Sequence, residues 1–205
     1  MTGKLIALEG IDGSGKSTQA CRLAGSLGAE LTFQFGATEI GSVIRDLLLS
    51  PTYSELDDKT EALLVVADKA QHLTEIVHPA LQAGRDVVTD RYTASTLVYQ
   101  GYGRGIDLVF LKSILQFATS GLEPDLTILL DLDPAQASNR LQQKLDRIED
   151  ATTKTSFVSR IRNGYIQLAA ESPDSWVVVD ASGNIDEVAI QIEAVARKFF
   201  CERTL

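Results

Sequence analysis

The sequence predicts an α/β fold, a doubly wound five-stranded parallel sheet flanked by helices and carrying a mobile lid. Three observations point there. Short apolar runs alternate with longer helical patterns along all 205 residues. Three of those runs, LIALEG, VVTD and LTILLDLD, are apolar almost throughout, as strands buried on both faces must be. A glycine-rich turn, Gly10–Ser17, follows the first run and opens a helical pattern.

Taken in order, strands are expected at Leu5–Glu9, Leu31–Phe35, Asp86–Asp90, Leu126–Asp131 and Trp176–Asp180. Helices are expected at 15–27, 39–49, 57–83, 107–119, 134–145, 155–171 and 185–200. Gly84 stops the long 57–83 pattern, and Asp133-Pro134 supplies a cap and an N1 proline for the next-but-one helix. The polar stretch Asp146–Thr155 has the composition of a mobile loop. No repeat or low-complexity linker divides the chain, so 1–205 reads as one domain, with a lid at about 140–155.

Composition narrows the function. The apolar fraction of 44% suits a globular core, and no run of about 18 apolar residues is present to span a membrane. The amino terminus enters a strand pattern without a basic-then-apolar leader, which points to the cytoplasm. Cys21 and Cys201 lie far apart without metal-ligand spacing and read as free thiols. His72 and His78 do not share a helix face, and satisfied or solvated histidines are expected. A net charge of -9 argues against nucleic acid as a partner. If the substrates are nucleotides, the chain must gather its few cations where the phosphates sit.

The turn Gly10-Ile11-Asp12-Gly13-Ser14-Gly15-Lys16-Ser17, continued by Thr18, is a full GxxxxGKS match between a strand and a helix. Glycines permit the positive φ angles that turn successive N–H groups inward, and the helix N-terminus adds partial positive charge. Lys16 offers a point charge for the β- and γ-phosphates of a nucleoside triphosphate, and the Ser17 hydroxyl a ligand for Mg²⁺. The loop alone does not distinguish a kinase from a GTPase or a motor.

With the blocks that follow it, the loop resembles the opening of the thymidylate kinase family. LIALEGIDGSGKST, ATEIG with IRDLLLSP, ADKAQH, TDRYTASTLVYQGYGRGID, PDLTILLDLDP, LDRIE and a helix ending GYIQLAA occur in the family's order over nearly the whole chain. The resemblance implies ATP with Mg²⁺ as donor, dTMP as acceptor, dTDP as product and a homodimer.

It also implies roles. Arg91 would grip the acceptor phosphate and Asp90 order the hydration of Mg²⁺; a structural ion pair at the strand end is the other reading of Asp90-Arg91. Asp12 is negative beside a negative donor, so an acceptor role at the sugar 3′-hydroxyl suits it better. Thr96 falls near the base, Tyr99 beside the sugar, and Tyr165 at a family tyrosine that disfavours a 2′-hydroxyl, although either tyrosine also suits a half-buried helix position. Val65 and Lys69 occupy positions where the family has a stacking phenylalanine and a base-reading arginine. Their i,i+4 spacing keeps one face, but valine has no π face and lysine no planar fork. Phe33 is expected to line the acceptor site, and Arg45 to be a solvated helix residue.

The family carries its catalytic arginine on the phosphate loop or on the lid. Ser14 stands at the loop position, so the lid is expected to supply it: Arg147 first, then Arg140, with Lys144 on the face of Arg140. Two other readings remain: a kinase for other or broader deoxynucleoside monophosphates, and a P-loop ATPase or nucleotide-binding module without transfer.

Overall fold

The computed structural model describes residues 2–141 and 155–202. Five strands, β1 (Leu5–Glu9), β2 (Glu30–Phe33), β3 (Val87–Asp90), β4 (Leu126–Asp131) and β5 (Trp176–Asp180), form one parallel sheet in the order β2-β3-β1-β4-β5. The three runs that read as apolar throughout are the three central strands, and both edge strands are partly exposed. Alternate residues of the centre feed opposite layers. Ile6, Leu8 and Val88 pack with Ala20 and Leu23, whereas Leu5, Ala7 and Val87 pack with Leu73, Val77, Ala80 and Leu81. Each fully buried aliphatic side chain contributes about 1.5–3 kcal/mol.

The helices are α1 (Lys16–Leu27), α2 (Glu39–Leu49), α3 (Asp58–His72), α4 (His78–Gln82), α5 (Thr93–Thr96), α6 (Leu108–Thr119), α7 (Pro134–Arg140), α8 (Thr155–Glu171) and α9 (Ile185–Glu202). Asp133 caps α7 as the sequence put it, accepting from the Ala135 N–H at 2.9 Å, and Asp107 caps α6, accepting from the Phe110 N–H at 2.7 Å.

Two expectations need correction. The 57–83 helix is not uniform: a π-helical turn, Leu73–Val77, separates α3 from α4. Pro79 has no N–H to continue the α ladder, and the widened turn ahead of it absorbs the mismatch. The second strand runs Glu30–Phe33, ending two residues earlier than Leu31–Phe35, because the chain turns through Phe35 and Gly36. After α5 the chain continues as a π-helical segment, Leu97–Gly103. The described part of the 134–145 helix ends at Arg140; Lys144, Arg147 and most of the expected lid lie outside the described residues. Cys21 is a free, exposed thiol. Among the described residues no helix is long and apolar enough to cross a membrane.

The topology decides where chemistry can occur. Strand β1 sits between β3 and β4, and the register Leu8↔Asp90 sets the ends of β1 and β3 side by side. The turn Gly10–Ser17 and the segment Asp90-Arg91-Tyr92 therefore leave the sheet at one place, in the crevice at its carboxyl edge.

Candidate active site

The glycine-rich turn is built mainly from backbone. Gly13 has φ 81°, and a Cβ there would meet the Ala137 carbonyl oxygen at 2.7 Å, so only glycine lets the turn lie against α7. The bond that closes the first turn of α1 runs from Gln19 N–H to the Gly15 carbonyl at 3.0 Å. The amides of Gly15, Lys16, Ser17 and Thr18 precede it and have no acceptor within α1. Gly15, Ser17 and Thr18 are exposed, whereas Lys16 is buried with its ammonium 2.9 Å from the Ile11 carbonyl and 3.6 Å from Asp12. Burial first, then the charge of Arg91, holds the Lys16 ammonium below the usual lysine range. A phosphate arriving at these amides would restore it.

Beside Lys16, the Ser17 hydroxyl donates to Asp90 Oδ2 at 2.5 Å. Asp90 Oδ1 is buried and has no hydrogen-bond partner among the described residues. An orphaned carboxylate oxygen next to a hydroxyl suits a hard, oxygen-seeking cation. The described residues contain no cluster of three His, Cys, Asp or Glu side chains that would cage a metal. Mg²⁺ does not need one, because it keeps its waters and takes one or two carboxylates plus phosphate oxygens. Ser17 and Asp90 fit that pattern.

Across the crevice, Arg91 organises a network of side chains. Its φ of 72° is a left-handed conformation for a residue with a Cβ. Such strain costs about 1–3 kcal/mol and persists only where the surroundings impose it. Here Arg91 N–H donates to the Leu8 carbonyl at 2.9 Å, and Thr89 Oγ1 donates to the Arg91 carbonyl at 2.8 Å. One guanidinium nitrogen pairs with Asp12 and reaches the Tyr99 hydroxyl at 3.1 Å. The other donates to Ser95 Oγ at 2.9 Å and to the Tyr165 hydroxyl at 3.2 Å. Tyr99 in turn donates to Asp12 at 2.7 Å, with its ring 5.0 Å from the guanidinium carbon. Burial works against the Asp12 charge, but Arg91 and then Lys16 outweigh it and hold the carboxyl well below the usual range.

A cavity of about 130 Å³ opens in front of this network, lined by Asp12, Arg91, Ser95, Thr96 and Tyr99, and beyond them by Val65, Lys69, Gln34, Phe35, Arg45, Leu49 and Gln100. The structure thus brings Asp12, Val65, Lys69, Arg91, Thr96 and Tyr99 to one wall. Tyr165 lies behind it, fully buried on α8, where its hydroxyl touches Arg91. The Thr96 hydroxyl is buried and has no partner among the described residues.

Other residues are not where the sequence suggested. Phe33 is 45% exposed and does not line the cavity; Phe35 does. The cause is strand alternation: Thr32 and Gln34 turn inward to His72, so Phe33 turns out. Arg45 is exposed as expected, yet it is anchored. Its guanidinium bonds the Phe35 carbonyl at 2.8 Å and lies 5.2 Å from that ring's centroid, at the cavity rim. Arg140 reaches the Ser182 and Gly183 carbonyls at 3.2 and 3.4 Å, apart from the Arg91 network.

Lys69 is buried and already bonded: its ammonium donates to Gln34 Oε1 at 2.5 Å and to the Tyr92 carbonyl at 3.0 Å, and burial pushes it down to about 8. Gln34 Nε2 then donates to His72 Nδ1 at 2.8 Å, leaving His72 Nε2–H for Thr32 Oγ1 at 2.6 Å. Burial, then Lys69, push His72 down to about 4. His72 is a satisfied core histidine, one of the two outcomes the sequence left open.

Sequence reasoning missed Gln34, Phe35, Gln100 and Glu9. The signal for Glu9 was present: a carboxylate ending an otherwise apolar strand. Gln34 and Phe35 carried no motif of their own.

The chain is similar to known proteins over nearly its whole length. Residues 8–192 match the family model described as thymidylate kinase. The chain is similar to the thymidylate kinase of Solidesulfovibrio magneticus, 42% identical over 205 aligned residues that cover 94% of this chain and 98% of that one. It is also similar to that of Carboxydothermus hydrogenoformans, 43% identical over 200 residues, covering 94% and 96%. The crystal structure of thymidylate kinase from Ehrlichia chaffeensis superposes with a TM-score of 0.80 at 27% identity, covering 96% of this chain and all of that chain.

Proposed function

The chain belongs to the thymidylate kinase family, whose members transfer a phosphoryl group from ATP to dTMP, and from that premise we propose that it does so in line, with Mg²⁺ at Ser17 and Asp90 and the acceptor phosphate on Arg91. The observation that supports this most is the meeting of Asp12, Arg91 and Tyr99 beside the exposed amides of the phosphate-binding loop.

In this reading Gly10–Thr18 cradle the donor phosphates and Lys16 spans the β- and γ-groups. Mg²⁺, when bound, neutralises charge on the transferring phosphoryl group. Arg91 offers a planar fork to the acceptor phosphate, and Asp12 and Tyr99 face its sugar. No general base is needed, because a phosphate monoester is already largely ionised near neutral pH. Positioning and charge neutralisation supply most of the rate. The remaining cation for the transition state would come from the lid, Arg147 before Arg140, with Lys144 in support.

We extend the reading to a single kinase domain over residues 1–205, acting as a cytoplasmic homodimer. Support for the dimer comes from exposed apolar side chains on three adjacent helices: Ile40 and Val43 on α2, Leu63 on α3, and Phe110 and Phe117 on α6. A second reading, transfer to other deoxynucleoside monophosphates, is favoured by one observation: Val65 offers no ring to stack on, and the Lys69 ammonium is engaged by Gln34 and Tyr92.

The test is ADP formation from Mg·ATP with dTMP, dUMP, dCMP, dGMP or no acceptor. Turnover that requires dTMP is expected. Turnover with another acceptor alone would replace the substrate, and hydrolysis without acceptor would end the transfer reading.

A further inference from the structure

Glu9 ends β1, one residue before the phosphate-binding loop, and has no solvent exposure. Neither phosphate can reach its carboxylate, which is occupied inside the fold. Oε1 accepts from the backbone N–H of Tyr92 at 2.8 Å and of Ser95 at 3.2 Å. Oε2 accepts from the Ser95 hydroxyl at 2.6 Å and the Tyr165 hydroxyl at 3.1 Å. Those same two hydroxyls accept from Arg91, at 2.9 and 3.2 Å.

We propose that Glu9 is a positioning residue for the acceptor phosphate, fixing the Arg91 guanidinium from behind through the Ser95 and Tyr165 hydroxyls. The inference rests on the reading of Arg91 as the phosphate grip.

The direction of the protons is the argument. A carboxylate is acceptor-only, so a hydroxyl that meets it must donate to it. Ser95 has one proton and gives it to Oε2, which turns its lone pairs toward Arg91. Tyr165 also lies 2.8 Å from Ser95, so both oxygens belong to one polarised group between anion and guanidinium. Held on that edge, Arg91 keeps its other nitrogen forward at Asp12 and Tyr99, where the acceptor would lie.

A purely structural role can be separated from this one. Oε1 ties β1 to the backbone amides of Tyr92 and Ser95, and the carbonyl oxygen of a glutamine would keep both of those bonds. An amide in place of Oε2 would instead donate to the hydroxyls and reverse their protons toward Arg91. Glu9→Gln therefore preserves the tie and breaks the relay.

Steady-state kinetics of Glu9→Gln, Ser95→Ala and the double variant, beside Arg91→Lys and with unfolding midpoints measured, test the proposal. The expected result for Glu9→Gln is a KM for dTMP raised on the order of tenfold, with the KM for ATP within about twofold. Ser95→Ala should shift dTMP in the same direction, and the double variant should fall short of the product of the two. Equal losses for both substrates that track a lowered midpoint would overturn the proposal, as would an unchanged dTMP KM or fully multiplicative effects. Should Glu9→Gln not fold, Ser95→Ala and Tyr165→Phe carry the test: a selective rise in dTMP KM supports the relay and its absence refutes it. If Arg91→Lys raises the dTMP KM while Glu9→Gln does not, only the Glu9 inference fails. If Arg91→Lys leaves it unchanged, the grip itself falls and takes the inference with it.

Discussion

On the proposed reading, the two sides of the crevice would solve the same problem, holding a phosphate, with different materials. The donor side is main chain: glycines, amides without a helical acceptor and a helix start, contiguous in sequence and exposed at Gly15, Ser17 and Thr18. The acceptor side is side chains, Glu9 at the end of β1, Asp12 in the loop after it, Arg91 just past β3, Ser95 on α5, Tyr99 on the π-helical segment and Tyr165 on α8, buried or half-buried and bonded to one another. Backbone amides can bind any triphosphate, so the donor side carries little selectivity. Selecting an acceptor takes shaped side chains, and holding those takes a second set behind them.

If that contrast is right, substitutions should separate by substrate. The largest effect is expected for Arg91→Ala: kcat/KM for dTMP falls on the order of a thousandfold, while ATP affinity, read by titration calorimetry, changes little. Loss of ATP binding to the same degree would break the division. On the donor side, Gly13→Ala places a Cβ at positive φ against Ala137. A strain of about 1–3 kcal/mol is expected, seen as a roughly 10- to 100-fold loss in kcat/KM for ATP with the dTMP KM nearly constant.

A third test concerns the layer behind the acceptor wall. His72 titrates at about 4 in the fold against 6.5 when free, so between those values the unfolded chain holds more protons. Stability from this residue is therefore complete above pH 6.5 and is lost as pH falls toward 4, by roughly 1–3 kcal/mol. Urea unfolding at pH 7 and pH 4.5 should show a steeper loss for the parent than for His72→Gln; parallel losses would remove His72 from the account. The smallest effect is at the rim. Arg45→Ala should raise the dTMP KM several-fold without touching kcat, and no change would mark Arg45 as a brace for Phe35 alone.

The contrast also explains what the sequence could tell. The glycine-rich turn was legible because its parts are adjacent in the chain and its glycines have no cheap substitute. The buried centre of the sheet was legible because burial on both faces leaves no room for polar residues. Asp12, Arg91, Thr96 and Tyr99 sit in blocks that resemble a family, and they meet at one wall. Phe33 was misplaced because strand alternation turns it out while Thr32 turns in, and Phe35 reaches the cavity because the chain has left the strand and turned before it. Arg45 was read as solvated because exposure says nothing of where a long side chain lies down. The break at Leu73–Val77 was hidden because Pro79 sits inside an otherwise unbroken helical pattern. Glu9 was visible as an oddity, but its partners are 83 to 156 positions away, and only folding brings them to it.

The ion pair between Asp12 and Arg91 has a consequence for what the empty crevice attracts. A bare guanidinium there would be an open invitation to any anion in solution. With a carboxylate of the same chain already seated on it, every newcomer must win an exchange. Chloride brings one charge and no fork-shaped pair of oxygens, and gains nothing by the swap. A phosphate monoester brings nearly two charges and several oxygens, and can displace the resident carboxylate outright. On the proposed reading the crevice would therefore sort anions by valence before it sorts nucleotides by shape, and an acidic protein would keep one of its scarce cations from being fouled by salt.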